Sequence, residues 1–269
     1  MNGKLLIVAT PLGNLGDFSP RAIEALTSAD LILCEDTRRT RKLLTHFRIE
    51  KKVESFHEHN EDDKSSHIID TILGGKVIAL VSDAGTPVVS DPGFRLVRMA
   101  RERNVMVEPI PGPFAGVIAL AASGIAPQPF SFFGFAPHRH GERTEFYRRV
   151  AAVGQTAIVY ESPERVEDSL RDALAILGDV EVTVAREMTK LHEEFVHGLI
   201  SEVIEKVKSK GEITLVFAPA KEQRAEVSPD ALRREFERLR AEGMHRNDAL
   251  KVIAEKFGVR KNEIYKLLL

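Results

Sequence analysis

The chain lacks tryptophan altogether and has a single cysteine, Cys34, among its 269 residues. One cysteine cannot form an intrachain disulfide, and the cysteine spacings of zinc sites are absent. No apolar run approaches the roughly 20 residues that span a bilayer. The opening stretch MNGKLLIVAT goes straight into a predicted strand and shows none of the features of a signal peptide. We therefore expect a cytoplasmic protein in which any aromatic stacking falls to Phe, Tyr or His.

The chain also has no large excess of charge of either sign, since its formal net charge is −2. This value argues against a protein that binds nucleic acid over its whole surface. The charge is uneven, however, because twelve Lys and Arg face nine Asp and Glu from Lys221 onward. Such a tail could contact phosphates, or it could be an ordinary solvated helical face, which is the commoner case.

Apolar, β-branched runs alternate with helical patterns along the first part of the chain. The predicted strands are Lys4–Thr10, Leu31–Glu35, Val53–Phe56, Val77–Ser82 and Val105–Ile110. The predicted helices start at Ser19-Pro20, cover Thr37–His46 and Glu61–Leu73, and start again near Phe94. This alternation predicts a mainly parallel sheet with helices on both faces.

A second set of the same kind follows PIPGPFAG, Pro109–Gly116, which has the composition of a hinge. Its predicted strands are Phe130–Phe135, Thr156–Glu161, Glu181–Arg186, Glu194–His197 and Ile213–Ala218, with some antiparallel pairing at the end. Its predicted helices are Arg143–Val153, Pro163–Leu177 and Ser201–Lys208. Beyond a polar linker, helices are predicted over Pro229–Glu242, Arg246–Lys256 and Lys261–Leu269. The predicted organisation is two α/β domains, residues 1–112 and 113–220, and a basic helical tail, residues 221–269.

The stretch VSDAGTPVVSDPG, Val81–Gly93, is the most informative loop of the chain. It directly follows a predicted buried strand and is rich in Asp, Gly, Pro and Ser. Open α/β sheets bind their ligands at the carboxyl ends of strands, where Gly lets backbone approach a ligand and Pro stiffens the turn. An ordinary connecting loop is the alternative for this segment alone.

Other predicted strands end in equally polar segments. ATPLGNLGD, Ala9–Asp17, has only Gly13 and Gly16 of a dinucleotide fingerprint, so it indicates a ligand-facing turn and only weakly a nicotinamide site. CEDTRRTRKLL, Cys34–Leu44, combines acids with a density of Arg that suits phosphate. FHEHNE, Phe56–Glu61, has too few further ligands to predict a metal site. Charged clusters at successive strand ends favour an enzyme cleft between two α/β domains.

These segments, together with PGPFAG, FFGFAPHRHGER, VYESPERV and AREMTKLHEEFVHG, occur in one order from about residue 4 to 218. In that order they resemble the small-subunit ribosomal RNA 2′-O-ribose methyltransferases, the methyltransferase I family of the tetrapyrrole methylase-like superfamily. The resemblance implies two α/β domains of the tetrapyrrole methylase type with S-adenosylmethionine in the cleft between them. It also implies a homodimer that acts on a cytidine ribose of 16S ribosomal RNA, free or within the 30S particle, and no membrane partner.

Site residues are expected on the turns that face this cleft. We predict that S-adenosylmethionine contacts Leu12, Asp83, Ala84, Gly85, Thr86, Val88, Pro113, Phe114, Ala115, Tyr160 and Ala185. The candidates for taking the proton of the ribose hydroxyl are Glu35, Asp36, Glu58, Glu187 and Lys190, and positioning without a true base is the alternative. RNA contacts are predicted at Arg38, Arg39, Arg41, Lys42, Arg246, Lys251, Arg260 and Lys261. No metal ligand is predicted.

Two segments depart from the family pattern. Phe114 stands where a small residue, commonly Ser, is usual, which bears on how the methionine end of the cofactor is held. HRHGER, His138–Arg143, stands where Lys and Ser are more usual, which bears on RNA contacts. Two other functions remain as alternatives: a sister methyltransferase acting on a tetrapyrrole or a protein side chain, and a non-enzymatic RNA-binding module built on the C-terminal helices.

Overall fold

The computed structural model describes residues 3–220 and 229–257. The chain divides into two compact units, Met1–Pro219 and Ala220–Leu269. The first unit contains two five-stranded sheets, and we call each sheet with its helices a lobe. No helix among the described residues is long and apolar enough to cross a membrane.

The first lobe is a parallel sheet with the strand order β3-β2-β4-β1-β5. Its strands are β1 (Lys4–Val8), β2 (Leu31–Cys34), β3 (Val53–Ser55), β4 (Val77–Val81) and β5 (Met106–Ile110). Its helices are α1 (Pro20–Ser28), α2 (Thr37–His46), α3 (Glu61–Leu73) and α4 (Phe94–Glu102). Because all five strands run the same way, the turns that follow them lie along one edge of the sheet.

Alternation along the strands builds a core on each face of this sheet. Leu6 packs on the side of α1 and α2, whereas Leu5 packs on the side of α3 and α4. Local sequence fixes the helix starts: the Ser19 hydroxyl accepts from the Ala22 N–H, with Pro20 at the first helical position. The prediction of a parallel sheet covered on both faces is confirmed.

The second lobe has the strand order β6-β7-β10-β8-β9. Its strands are β6 (Phe130–Phe135), β7 (Thr156–Glu161), β8 (Glu181–Arg186), β9 (Glu194–Leu199) and β10 (Ile213–Phe217). Only β6 and β7 pair in parallel, and the other pairs are antiparallel. The helices are α5 (Ala115–Ser123), α6 (His140–Val153), α7 (Val166–Leu177) and α8 (Ile200–Ile204). The predicted α/β class and the expected antiparallel pairing are both confirmed.

Several predicted element ends were wrong. The first strand ends at Val8 rather than Thr10, because Thr10 leaves the sheet to form an isolated bridge with Gly85. The helix predicted from Pro163 begins with a 3₁₀ turn, Pro163–Arg165, before α7. The helix predicted over Ser201–Lys208 is only the short α8, which ends before a polar run containing Gly211. Strand β9 extends two residues beyond His197 along its partner β8.

The second unit contains α9 (Pro229–Ala241) and α10 (Arg246–Phe257). Leu232, Leu239, Leu250 and Ile253 form its small apolar core. Gly243 adopts a positive φ of 87° just after α9, as expected of a residue that ends a helix. The third predicted helix, Lys261–Leu269, lies outside the described residues.

Candidate active site

A cavity of about 480 Å³ opens at the carboxyl edge of the first sheet, against the second lobe. Its volume is in the range that holds a small-molecule ligand. In the first lobe it is lined by Leu12, Glu35, Arg39, Asp83, Ala84, Gly85, Thr86, Val89, Ser90 and Asp91. In the remainder of the unit it is lined by Phe114, Ala115, Phe135, Tyr160, Glu161, Ser162, Pro163, Met188, Gly211, Glu212, Ile213 and Thr214. We call this cavity the cleft.

The turns after β1 and β4 are joined to each other at the base of the cleft. Thr10 and Gly85 exchange backbone hydrogen bonds of 2.9 and 3.0 Å, and the Thr10 hydroxyl donates to the Ser82 carbonyl. Gly85 has a φ of 83°, and a Cβ there would lie 3.2 Å from a methyl carbon of Leu12. A glycine is therefore needed where these two turns meet.

Asp83 connects the end of β4 to the start of α2. Its Oδ1 accepts from the backbone N–H of Asp36 at 3.1 Å, and its Oδ2 lies 3.5 Å from the Arg39 guanidinium. About a fifth of the Asp83 side chain remains exposed. The carboxylate is thus fixed in position while still open to the cleft.

The loop from Thr86 to Gly93 has an unusual backbone. Val88 and Ser90 adopt positive φ values of 78° and 66°, although neither is glycine. Gly93 has a φ of 125°, and a Cβ on it would come within 2.4 Å of the Leu80 side chain. The Thr86 hydroxyl donates to the Pro113 carbonyl at 2.9 Å. This bond joins the loop to the link between the lobes, which runs from the end of β5 to the start of α5. Strained backbone of this kind is concentrated at functional sites.

Two carboxyl groups of the cleft have pKa values above their ordinary range. Burial, and then the negative charges of Glu35 and Asp83, raise the pKa of Asp91 to about 7. Burial, and then the charges of Asp83 and Glu58, raise the pKa of Glu35. The first-lobe wall therefore carries more negative charge than the described residues neutralise, a setting that favours a cationic ligand.

The opposite wall is aromatic. The Tyr160 ring has edge-on contacts with Phe114, Phe132 and Phe135, at centroid distances of 6.5, 4.9 and 5.3 Å. The Tyr160 hydroxyl accepts from the Gly116 N–H at 3.3 Å, and burial above all raises the pKa of Tyr160 to about 12. More than half of the Phe135 side chain is exposed. This wall is suited to the flat face of a purine or pyrimidine.

Phe114 occupies the N-cap position of α5. A Ser there would accept from a backbone N–H of the first turn, whereas Phe has no acceptor. The hydroxyl of Tyr160 accepts from Gly116 instead. In this chain, the Gly116 N–H in the first turn of α5 is therefore satisfied by a hydroxyl group from β7 and not by the N-cap side chain.

Eight of the predicted cofactor residues line the cleft: Leu12, Asp83, Ala84, Gly85, Thr86, Phe114, Ala115 and Tyr160. The other three do not. Val88 packs against the core behind the loop, and Pro113 reaches the site only through its carbonyl, which accepts from Thr86. Ala185 is fully buried in the second-lobe core, because β8 lies between β9 and β10. None of these three side chains lines the cleft.

Of the predicted proton acceptors, only Glu35 lines the cleft. Asp36 caps α2 and binds the Arg38 guanidinium, which lowers the pKa of Asp36 to about 2. Glu58 is exposed and does not line the cleft. A carboxylate that already binds an arginine is a poor proton acceptor, and this geometry does not favour Asp36.

Glu187 and Lys190 form an ion pair of 2.8 Å, which Lys190 extends to Glu212. The hydrogen bond from Lys190 lowers the pKa of Glu187. Partial burial opposes the charge on Lys190, but its bonds to Glu187 and Glu212 outweigh burial and raise its pKa. Neither residue lines the cleft, and Lys190 packs against Gly13 of the first turn, where a Cβ would come within 2.3 Å of its side chain. Their position favours a structural role beside the cleft.

The predicted RNA-binding residues of α2 are exposed. Arg39 and Lys42 line a neighbouring cavity of about 290 Å³ between α2 and the first turn, and Arg39 also lines the cleft. Arg38 is 84% exposed but already binds Asp36. Arg41 is exposed beside them. This part of the surface combines a cation cluster with the mouth of the cleft.

The remaining predicted RNA contacts lie in the second unit. Arg246 and Lys251 are exposed on α10, where Lys251 lies 3.9 Å from Asp248. Arg260 and Lys261 lie outside the described residues. The α9–α10 pair also holds an ion cluster in which Glu235 binds Arg238 and Lys256.

The HRHGER segment, which departs from the family pattern, has several of its polar groups bound within the protein. Arg143 is buried and donates to Asp172 at 2.6 Å and to the His138 carbonyl at 3.1 Å. His140 lies 2.9 Å from the same carboxylate. Arg139 is highly exposed, unlike Arg143. His138, His140 and Arg143 therefore support the α6–α7 contact, whereas Arg139 is exposed and lies 3.3 Å from Glu142.

Several cleft residues are absent from the set predicted from the sequence. Asp91 and Ser90 lie within the same polar loop, but the predicted cofactor contacts end at Val88. Glu161 and Ser162 lie within VYESPERV, of which only Tyr160 is in the predicted set. The carboxylate of Glu161 is fully buried and binds Arg165 at 2.8 Å, and one of its oxygens has no protein partner among the described residues. Gly211–Thr214 carry no sequence signal, because that segment reaches the cleft only through pairing of β10 with β7.

A family model described as Tetrapyrrole (Corrin/Porphyrin) Methylases matches residues 4–204, three quarters of the chain. The chain belongs to the tetrapyrrole methylase family. Within this family, the chain is 42% identical to proteins named Ribosomal RNA small subunit methyltransferase I from Streptococcus pyogenes and Vibrio cholerae. These alignments cover 98% and 97% of this chain and 94% and 93% of the relatives. The resemblance drawn from the sequence motifs is confirmed.

Two solved structures share the fold of this chain. Diphthine synthase aligns with a TM-score of 0.64 over 80% of this chain and 89% of its own. Uroporphyrin-III-C-methyltransferase from Thermus thermophilus aligns with a TM-score of 0.57 over 80% and 94%. Both are 16% identical to this chain, so they bear on the fold alone.

Proposed function

We propose that this member of the tetrapyrrole methylase family transfers a methyl group from S-adenosylmethionine to the 2′-hydroxyl of a cytidine ribose in 16S ribosomal RNA. The observation that carries the proposal is the 42% identity, over nearly the whole chain, to proteins named Ribosomal RNA small subunit methyltransferase I. The cleft supports it, because eight residues predicted from the family motifs come together there. We further propose that the protein acts in the cytoplasm on the free RNA or on the 30S particle.

The chemistry of the cleft fits S-adenosylmethionine. Glu35 and Asp83 supply negative charge on one wall, which complements the sulfonium and ammonium groups of that molecule. Tyr160 and Phe135 supply aromatic surface on the other wall for its adenine. Gly85 lets backbone approach at the point where a side chain would be in the way. When bound, S-adenosylmethionine supplies an electrophilic methyl group.

The protein's part in this reaction is to bind, orient and exclude water. Asp83 is fixed by Asp36 and Arg39, so its free lone pairs point in a constant direction. The hydrogen bond from Thr86 to the Pro113 carbonyl fixes the strained loop against the link between the lobes. Arg39 stands at the junction of the cleft and the neighbouring cavity, where an RNA phosphate can meet it.

A ribose hydroxyl holds its proton far above neutral pH, so an acceptor must take it as the new bond forms. Lys190 and Asp36 are unsuited to this task, because each is already held by ion pairs. The carboxylates of the first-lobe wall are the available groups within the cleft.

Transfer of a labelled methyl group distinguishes this proposal from its rivals. The purified protein is incubated with labelled S-adenosylmethionine and, separately, with 30S particles, 16S RNA, a tetrapyrrole precursor or total protein. We expect label in RNA, recovered after digestion as a ribose-methylated cytidine. Label in the tetrapyrrole or in protein would contradict the substrate, and label on a base would contradict the 2′-hydroxyl.

We also propose a homodimer, as the family resemblance implies. A two-fold pair presents two clefts and a larger surface to a structured RNA than one protomer does. Light scattering at micromolar concentration is expected to give twice the 29.9 kDa mass of one chain. A monomer mass at that concentration would contradict the proposal.

A further inference from the structure

Asp91 lies in the strained loop between β4 and α4 and lines the cleft. Its side chain is partly buried, yet it makes no hydrogen bond or ion pair with any of the described residues. Ser90, just before Asp91, has a φ of 66°. Gly93, two residues after Asp91, has a φ of 125°, and a Cβ on it would clash with the Leu80 side chain. The loop is therefore fixed in a strained conformation that presents an unpaired carboxyl group to the cavity.

The neighbouring carboxylates differ from Asp91 in their partners. Asp83 accepts from a backbone N–H and lies near Arg39, and Glu161 binds Arg165. Glu35 has no such partner among the described residues either, but it is more exposed than Asp91. Among the described carboxyl groups of the cleft, Asp91 thus combines partial burial with the lack of an ion pair.

The surroundings of Asp91 raise its pKa into the neutral range. Burial is the main cause, and the charges of Glu35 and Asp83 add to it, giving a pKa of about 7. The charged and titratable groups that line the same cleft are Glu35, Arg39, Asp83, Tyr160, Glu161 and Glu212. Arg39 is directed to Asp83 at 3.5 Å, so it does not neutralise Asp91. A proton acceptor works best when its pKa lies near the working pH, and Asp91 meets that condition.

Asp91 also faces the second lobe. Its negative charge adds to burial in raising the pKa of Tyr160, so the carboxylate acts across the cleft on the aromatic wall. A substrate held between the two walls would lie against Asp91. The other proton-acceptor candidate in the cleft, Glu35, stands at the end of β2 and is more solvated.

We propose that Asp91 is the catalytic proton acceptor for the hydroxyl group that receives the methyl, an inference that rests on the proposed function. A lone pair of the hydroxyl oxygen forms the new O–C bond while the S–C bond breaks, and that electron pair returns to sulfur as a neutral thioether. The hydroxyl proton passes to the Asp91 carboxylate and later to water. No other reactant is required.

The test compares Asp91→Asn with Asp63→Asn, an exposed acid of α3 that carries the same charge change. Single-turnover methyl transfer to 30S particles is measured from pH 5.5 to 9, and the affinity for S-adenosylmethionine is measured by calorimetry. The wild type and Asp63→Asn should show a rate that rises with pH. Asp91→Asn should lose roughly 10²- to 10⁴-fold in rate and lose that rise, with cofactor affinity within about twofold of wild type.

Two further readouts address the carboxyl group itself. Carbon NMR of protein labelled at the Asp carboxyl carbons should show a group that titrates near pH 7 in the wild type and is missing in Asp91→Asn. Added formate should partly restore the rate of Asp91→Ala, because a small carboxylate can occupy the space of the missing group.

The outcomes separate the inference from the proposed function. A rate of Asp91→Asn within about threefold of wild type, or a fall in rate matched by a fall in cofactor affinity, would overturn the role of Asp91 and leave the methyltransferase proposal intact. Absence of methyl transfer to RNA by the wild type would overturn the proposed function itself, whatever the pH at which the Asp91 carboxyl group titrates.

Discussion

The two lobes differ in how their buried acids are paired. In the second lobe, the buried carboxylates Asp172 and Glu161 each bind an arginine, Arg143 and Arg165. On the first-lobe wall of the cleft, Asp91 binds no cation among the described residues. An unpaired, partly buried carboxyl group lowers stability, so its presence indicates a ligand rather than a structural need. Asp172 and Glu161 of the second lobe are thus committed to ion pairs that hold the fold, whereas Asp91 on the first-lobe wall is left uncommitted beside the cleft.

Arg143→Met should give the largest change, and the change should be in stability. The substitution keeps much of the buried stem but leaves Asp172 as a buried charge without its arginine, which costs about 3–5 kcal/mol of unfolding free energy. Denaturant unfolding measures it, with Arg139→Met as the exposed control from the same segment. RNA affinity of the folded protein should stay at the wild-type level. Unchanged stability with weakened RNA binding would reverse the roles given to the two lobes.

Asp83→Ala should mainly change ligand affinity. Loss of a fixed acceptor in the cleft costs about 1–3 kcal/mol, or roughly 5- to 150-fold in cofactor affinity. Calorimetric titration with S-adenosylmethionine measures it, and Asp63→Ala, an exposed acid on α3, is the matched control. Equal affinities for Asp83→Ala and the control would remove Asp83 from the cofactor site.

Asp91→Asn should stabilise the folded protein above neutral pH. A carboxyl group whose pKa is raised to about 7 on folding, from an unfolded value of 3.8, contributes stability that is fully present below pH 3.8. That contribution is lost as pH rises through 7, so the wild type carries a penalty at pH 8 that the Asn variant lacks. The gain is on the order of 1 kcal/mol, since water in the cleft screens part of it. Equal unfolding free energies at pH 8 would show that Asp91 is solvated like a surface acid.

The double substitution Arg38→Ala, Arg41→Ala should have the smallest effect. Removal of each phosphate-binding side chain reduces the salt dependence of RNA binding by roughly one unit of slope. Because Arg38 already binds Asp36, the fall should be nearer one unit than two. Filter binding over a salt series measures it, with Arg101→Ala on the exposed end of α4 as the control. A fall in cofactor affinity as well would place α2 in the cofactor site.

Much of this architecture could be predicted from the sequence, because it depends on local pattern. Strands β6, β7 and β8 and helices α2 and α3 have the predicted ends, since apolar alternation and capping residues define them locally. The turns after β1 and β4 that line the cleft are predictable for the same reason, because each follows a recognisable strand. The short α8 and the extra residues of β9 are not, because pairing with a neighbouring strand decides where they end.

The chemistry of individual side chains is harder to predict. The sequence shows Asp36 and Asp91 as similar acids after strand ends, but one binds Arg38 and the other has no cation beside it among the described residues. Ala185 follows the family motif, yet its place in the middle of the second sheet buries it completely. The burial of Ala185 and of Asp91 depends on packing between residues far apart in the chain, which no local pattern encodes.

The proposed reaction is the methylation of a cytidine ribose of small-subunit ribosomal RNA at this cleft. The most direct measurement is mass mapping of ribose methylation in 16S RNA from cells that have the protein and from cells that lack it. We expect one cytidine whose ribose methyl group disappears without the protein and returns with the wild type but not with Asp83→Ala. An identical methylation map with and without the protein would contradict the proposed function.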